Sequence, residues 1–472
     1  VQYNFNFDLQ QRGLFSTLTG ILKYRADKTP ESTAYIFLEG GKEKSRYSYM
    51  QLYRHSLKIA AKLQELNMQG ERVLMLYPSG LDFVAAFMGC LYAGAIAVPA
   101  YPPDNPRIVR RLQTIIKDCK PKAILSITDA SINISDLLNI SDDSVVSYIE
   151  YVATDRLEEN LLYQYKEHKA DEDDVAFLQY TSGSTSAPKG VMVTHRNIIY
   201  NTSLIRENYG LNANSVVVSW LPIYHDMGLI SGILQSTILG AKTVFMSPSD
   251  FIRSPMVWIK AVNTYRGTFS AAPNFAFDLC NLKNISPELA ENLDLSCWKA
   301  IANGAEPIKP KAVEKFTQKF SKYGLPKTAV CASYGMAETT LFVSASHHSE
   351  KTIIKSFNKD ILEKENKAVL ATKNDSKKRL VSCGNCQYMH NVAIVNPDTH
   401  EACPEGTVGE IWVKDYSIAT GYWQNNEKTT ETFHAIEKNS NNGPYLRTGD
   451  LGFIYKGELY IAGRNKDLII IR

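Results

Sequence analysis

The chain has 472 residues, a formal net charge of +3 and 44% hydrophobic side chains. That length exceeds one ordinary core and implies about three compact units, while the near-balanced charge argues against bulk nucleic-acid binding and against a polybasic membrane anchor. Eight cysteines scattered along the chain read as reduced, intracellular thiols in a cytoplasmic setting rather than as a disulfide framework. No basic segment leads into an apolar one at the start, so no signal peptide is expected, although the sequence begins without an initiator Met, as a trimmed chain would.

Apolar residues Leu52, Ile59, Ala60 and Leu63 recur at helical spacing over 49–66, and 72–77 then reads as a strand. Residues 83–103 carry no charge and are long enough to cross a bilayer. Gly89, Gly94 and Pro99 divide that run into a helix (81–92), a turn and a short strand (95–98), and no Lys or Arg flanks it closely, so buried core is expected instead. The pattern continues with a helix over 108–118 and strands over 123–126 and 145–148. After a serine-rich run come a helix over 196–208, a strand over 216–220, a helix over 228–239 and a strand over 243–246. A second series follows: helix 256–265, strand 268–271, helix 274–280, strand 299–303, helix 309–320 and strand 328–332. Such alternation predicts an α/β chain with parallel sheets and ligands at the carboxyl ends of strands. Two α/β subdomains facing one another across a cleft are expected within 1–379. A lysine-rich, weakly periodic insertion falls within about 346–379. A β-rich subdomain is expected over 380–465.

The run Tyr180-Thr-Ser-Gly-Ser-Thr-Ser-Ala-Pro-Lys189-Gly190 lies between two apolar stretches. Backbone amides around Gly183, the hydroxyls of Thr181, Ser182, Ser184, Thr185 and Ser186, and one ammonium make an anion site able to wrap a polyphosphate. It is not a Walker loop, which places glycine before the lysine and Ser or Thr after it, whereas Lys189 has Pro188 and Gly190. Taken alone, the run also reads as a serine-rich surface turn.

Three further clusters supply groups that the loop lacks. Trp220-Leu-Pro-Ile-Tyr-His-Asp-Met-Gly-Leu229 puts an imidazole and a carboxylate, His225 and Asp226, between a strand and an apolar helix; Asp226 also suits a simple helix cap. Asn303-Gly-Ala-Glu-Pro307 and Ser333-Tyr-Gly-Met-Ala-Glu-Thr-Thr-Leu341 each end a strand with a glycine turn. One presents amides and Asn303, the other an aromatic face in Tyr334 that suits a purine, and Glu338 offers a hard oxygen ligand for Mg²⁺. In Tyr445-Leu-Arg-Thr-Gly-Asp450-Leu-Gly452 and Gly463-Arg-Asn-Lys-Asp-Leu468, a carboxylate on a glycine turn suits a ribose diol.

With the four clusters in this order, the sequence resembles the adenylate-forming superfamily over nearly its whole length. Ala100-Tyr-Pro-Pro103, residues 220–229, Pro273-Asn-Phe-Ala-Phe-Asp-Leu-Cys280, residues 334–344 and Val381-Ser-Cys-Gly384 are most similar to the fatty acyl-AMP ligases. The resemblance implies an enzyme that uses ATP and Mg²⁺ to convert a medium- or long-chain fatty acid to acyl-AMP. The acyl group would then pass to the thiol of an acyl carrier protein or of a polyketide synthase carrier domain. It implies that Thr181, Ser182, Ser184, Thr185 and Lys189 hold the pyrophosphate end of ATP, with Glu338 and Thr185 on the metal. Asn303, Gly304, Ala305, Glu306, Ser333, Tyr334, Gly335 and Met336 would surround the adenine and α-phosphate, and Asp450 and Arg464 the ribose. His225 and Asp226 would stand where the acyl carboxylate meets the α-phosphate, and Met227, Phe275 and Phe277 would line an alkyl tunnel. The lysine-rich insertion falls where acyl-AMP ligases carry a segment that discourages reaction with free coenzyme A.

Two departures qualify that picture. Ser186 stands where many relatives have glycine, which makes a left-handed backbone less comfortable there. Relatives also continue beyond the position of Asp467, through a hinge (466–472 here), into a small mobile domain bearing a lysine that touches the reacting groups. The sequence ends at Arg472, so the expectation is nucleotide and acyl-adenylate binding with slow adenylate formation. The competing readings are an acyl-CoA synthetase, an amino-acid adenylation domain using Asp226 for an ammonium, and a non-catalytic acyl-adenylate-binding module. Cys383-Gly-Asn-Cys386, with His390, His400 and Cys403 downstream, has metal or redox spacing but lacks the second close pair a zinc site wants. The basic face of Arg107, Arg110, Arg111 and Lys117 reads as solvated, with docking of an acidic carrier protein as the alternative.

Overall fold

The computed structural model describes residues 15–103, 105–128, 130, 149–181, 188–385, 391–439 and 442–464. The chain divides into two compact units: one runs up to Thr202 and adds Pro222–Ser247 and Tyr422–Gln424, and the other takes the remainder.

The first unit is built on a six-stranded sheet in the order Glu150–Ala153, Ala123–Ser126, Arg72–Met75, Ile96–Pro99, Val175–Tyr180, Gly190–Thr194. Every neighbouring pair is parallel except the last, which is an antiparallel hairpin. Its helices follow local signals. Ser48 and Gln51 form a capping box that starts Tyr49–Glu65, and Asn105 caps Pro106–Cys119, with proline in the first turn. That second helix turns Leu112, Ile115, Ile116 and Cys119 into a core with Leu74, Val98, Ile124 and Leu178. Leu81–Tyr92 is buried at every residue but Asp82, so it is covered on nearly all sides. Gly94, at φ +70, makes the turn that follows. The uncharged run 83–103 is therefore interior, and among the described residues no helix is long and apolar enough to cross a membrane. A further hairpin, Thr33–Glu39 with Lys42–Ser48, pairs in parallel with Lys242–Met246. The strand expected at 145–148 lies outside the described residues.

The second unit holds two sheets. In one, Val216–Ser219, Phe269–Pro273, Ala300–Gly304 and Val330–Gly335 are parallel, and Phe342–Ala345 returns antiparallel to the last. The other is antiparallel, in the order Ile354–Asn358, Lys377–Asn385, Glu458–Arg464, Asn442–Tyr455, Gly409–Lys414, Asn391–Val395. The lysine-rich stretch contributes the edge strand Ile354–Asn358 and the helix Lys359–Lys364. Phe357, Leu362 and Ala368 pack with Phe453 and Tyr460, which ties the stretch to the sheet although its surface positions are polar.

Candidate active site

In the first unit the phosphate-loop candidate joins the two strands of the hairpin, in register Tyr180↔Gly190. The Thr181 amide donates to the Lys189 carbonyl at 3.2 Å. Ser182, Ser184, Thr185 and Ser186 lie outside the described residues. The loop is thus slung from a β-hairpin, not from a strand-to-helix turn, which agrees with its failure to match a Walker pattern. Lys189 Nζ sits 4.6 Å from the centre of the Tyr422 ring. Tyr422 bridges to Val191, and the Trp423 amide donates to the Gly190 carbonyl at 2.8 Å. At the other end Tyr180 donates to Asp118 Oδ2 at 2.5 Å. Burial above all, and then neighbouring Cys119 and Asp118, push its phenol well above the ordinary value, so it stays a donor. Neither Asp118 nor Tyr422 was foreseen, because neither lies in a recognisable string.

His225 Nδ1 and Asp226 Oδ1 stand 2.5 Å apart, and Asp226 also accepts from the Met227 amide at 2.6 Å. The cap reading of Asp226 and its pairing with His225 therefore hold together. Met227–Leu234 is a π-helix, buried throughout, that passes into the α-helix Gln235–Leu239. A regular α-helix was expected over 228–239. Ser231, whose hydroxyl bonds back to the Met227 carbonyl at 2.6 Å, and the flanking Gly228 and Gly232 loosen the ladder. Gln179, on the strand before the loop, donates to the Tyr224 carbonyl at 3.1 Å and leaves its buried Oε1 without a partner.

The Asp226 charge raises the His225 pKa above 6.5, against the effect of burial and of nearby Arg111. Burial pushes Asp226 up, but the His225 charge and two hydrogen bonds outweigh it and hold the carboxyl below its ordinary value. A raised histidine contributes stability in full below pH 6.5 and loses it as pH rises through the raised value. The His225 side chain is 43% exposed, so the contribution is at most about 1 kcal/mol. His225→Gln is expected to melt below the wild type at pH 6 and level with it by pH 9, as followed by circular dichroism. A gap that widens with pH would refute the ion pair.

In the second unit Asn303 is the last residue but one of the strand Ala300–Gly304, fully buried, with neither Oδ1 nor Nδ2 bonded. Gly304 approaches the Ser333 carbonyl closely enough that a Cβ would stand 3.0 Å from it. Ala305 has φ +66. Glu306 accepts from the Phe275 amide at 2.5 Å and so caps the helix Asn274–Leu282. The two phenylalanines of that helix part company. Phe275 is 38% exposed, whereas Phe277 is buried against Phe316 and Trp258.

Ser333 bonds Tyr209 at 2.7 Å. Tyr334 packs among Val343, Cys383 and Ile411, and its hydroxyl donates to Asp450 Oδ2 at 2.8 Å. Arg464 Nε stands 3.3 Å from Asp450 Oδ1. The fold therefore brings Tyr334, Asp450 and Arg464, far apart in sequence, into one group. Met336 leads into a one-turn helix, Ala337–Thr339, that holds Glu338 at 8% exposure. Thr340 follows at φ +66, ψ −56, and the Leu341 amide reaches the Thr339 carbonyl at 2.7 Å. This is a γ-turn of the strained hand, here on a β-branched residue. Backbone strain of this kind clusters at functional sites. Among the described residues no group of three or more His, Cys, Asp or Glu could hold a metal ion; Cys386 and His390 lie outside them.

The chain belongs to the AMP-binding enzyme family, whose profile matches residues 22–423. It is 42% identical over 466 residues to the medium-chain-fatty-acid–[acyl-carrier-protein] ligase JamA of Moorena producens, spanning 97% of this chain and 78% of that one. It is 37% identical to the long-chain-fatty-acid–AMP ligase FadD32 of Mycobacterium marinum, over 88% and 67% respectively. Its structure is similar to that of the fatty acid AMP ligase from Legionella pneumophila, with a TM-score of 0.90 and 38% identity over 98% of this chain and 79% of that one. A fatty acyl-adenylate ligase from the same organism, in complex with acyl adenylate and pyrophosphate, gives a TM-score of 0.88 at 38% identity, over 96% and 78%.

Proposed function

We propose that the protein adenylates a medium- or long-chain fatty acid and delivers the acyl group to the thiol of an acyl carrier protein or a polyketide synthase carrier domain, in the cytoplasm. The observation that carries this reading is the buried, uncharged helix that begins at the His225–Asp226 pair. An acyl chain whose carboxylate lay at its start would meet uncharged residues along it, and Asp226 is already engaged by His225 rather than set out for a substrate ammonium. The unpartnered amide of Asn303 fits a nucleotide base, which offers a donor and an acceptor on one edge.

In the step itself a carboxylate oxygen forms a bond to the α-phosphorus of ATP, and the bond to the bridging oxygen breaks. Pyrophosphate leaves with that electron pair. A carboxylate is a weak nucleophile and the phosphate is anionic, so positioning and neutralisation carry the rate rather than a general base. Lys189 and the loop residues Thr181, Ser182, Ser184 and Thr185 would take the leaving pyrophosphate. Asn303 to Glu306, with Ser333 to Met336, would hold the adenosine. Asp450 and Arg464 would bind the ribose, for which their mutual pairing sets the carboxylate in place. Glu338, a buried hard oxygen donor, would hold Mg²⁺ together with Thr185; the ion, when bound, offsets polyphosphate charge. Met227, Phe275 and Phe277 are the proposed acyl contacts, and Phe275 is the one whose exposure leaves it open to a ligand.

The reading is tested with a non-hydrolysable dodecanoyl-adenylate analogue, which is expected to raise the melting temperature where an aminoacyl analogue does not. Acyl transfer is then followed to a phosphopantetheinylated carrier protein and to free coenzyme A. Transfer to the carrier alone is expected, and a preference for coenzyme A would make the protein an acyl-CoA synthetase instead.

A further inference from the structure

Arg111 was expected to be solvated with Arg107, Arg110 and Lys117. Those three are exposed, but Arg111 is not: it falls next to the buried stripe of its helix, beside Leu112. Its guanidinium lies 5.0 Å from the Tyr101 ring, and Tyr101 packs on Tyr224 at 4.5 Å, the residue before His225. The Arg111 charge is felt at His225 itself. A tyrosine face satisfies the flat side of a guanidinium but not the N–H groups that point outward in its plane. Nε and Nη2 of Arg111 are buried and have no hydrogen-bond partner.

Those two atoms form the edge that grips a carboxylate through two parallel hydrogen bonds. The same chain uses it so elsewhere. Arg196 holds Asp173 through Nε and Nη2 at 2.7 and 2.8 Å, and Arg46 holds Glu43 at 2.6 and 2.7 Å. Guanidinium N–H groups that are buried without a hydrogen-bond partner are costly unless a ligand supplies the acceptor.

We propose that the Nε/Nη2 edge of Arg111 is the binding site for the free carboxylate of the fatty acid, taken bidentate beside His225. This rests on the adenylation reading above and assigns the residue that recognises the acid before it reacts. A single planar anion suits one guanidinium stacked on one aromatic ring, whereas a polyphosphate of three or four charges needs several cations. Once the carboxylate is esterified to AMP its charge is gone, so Arg111 holds the substrate and releases the product.

The test measures binding of dodecanoate, dodecanol and α,β-methylene-ATP to the wild type, R111Q and R111K by calorimetry. The wild type is expected to prefer dodecanoate to dodecanol at least about tenfold. R111Q should lose that preference while keeping its affinity for dodecanol, for the nucleotide and for the dodecanoyl-adenylate analogue, and R111K should retain part of it. An R111Q protein that still prefers the acid, or that loses nucleotide affinity instead, overturns the proposal. If R111Q does not fold, R111K decides, because an unchanged acid preference there is equally fatal. A wild type that binds neither dodecanoate nor the adenylate analogue refutes the adenylation reading and this inference with it. Binding of the analogue together with an unaltered R111Q preference refutes the Arg111 assignment alone.

Discussion

Gly335→Ala is expected to lower the melting temperature by roughly 5–10 °C and to abolish adenylate formation, the temperature shift corresponding to about 3 kcal/mol. A Cβ at this position would run into the Leu341 carbonyl and lie 3.2 Å from the Phe342 Cα, and backbone cannot rotate aside as a side-chain tip can. The obstruction also falls on the loop that carries Glu338. Gly335 pairs with Phe342 in the antiparallel ladder, and between them the chain makes the one-turn helix and the strained turn at Thr340. Moving Leu341 outward would relax that turn and withdraw the carboxylate. Thermal denaturation together with pyrophosphate release measures both effects. A variant that melts like the wild type would show that the approach is looser than the structure has it.

Asn303→Leu is expected to have effects of opposite sign on stability and binding. The wild-type amide is buried with both polar atoms unbonded, a condition that costs about 1–3 kcal/mol for each such group. A branched apolar side chain removes that cost, so the ligand-free protein should become more stable, by about 2 kcal/mol. Affinity for α,β-methylene-ATP should fall ~10- to 100-fold, as the loss of one or two buried hydrogen bonds implies. Calorimetric titration beside a melting curve separates the two. If binding is unchanged and stability falls, Asn303 is a structural residue and the nucleotide lies elsewhere.

Much of this was legible in the sequence, and the failures have physical causes. Helices such as Tyr49–Glu65 and Pro106–Cys119 declare themselves by a clean apolar stripe and a capping residue. The π-helix did not, because every residue from Met227 to Leu234 is buried and a segment apolar on all sides has no stripe whose period could be measured. Arg111 was grouped with its basic neighbours by composition, whereas its burial is decided by one step of 100° around the helix. The clusters at Asn303, Tyr334 and Asp450 were found as strings, and the Tyr334–Asp450 bond then joined two of them. The ligand roles proposed for them rest on residue type and order. What order did not convey is that Glu306 spends its carboxylate on a helix end and that Phe277 belongs to an aromatic core. Polar stretches were the hardest to read, since the strand Ile354–Asn358 buries only Phe357 fully.

The seating of Lys189 on Tyr422 bears on how the protein is made. The lysine leaves the ribosome ~230 residues before the ring that it packs on, an interval of about 10–50 s at ordinary rates of synthesis. The sheet of the first unit, complete by Thr194 apart from this contact, has to wait through that interval for Tyr422–Gln424 to return to it. Tyr422–Gln424, with the ring on which Lys189 packs, is therefore the last piece of the first unit to be synthesised.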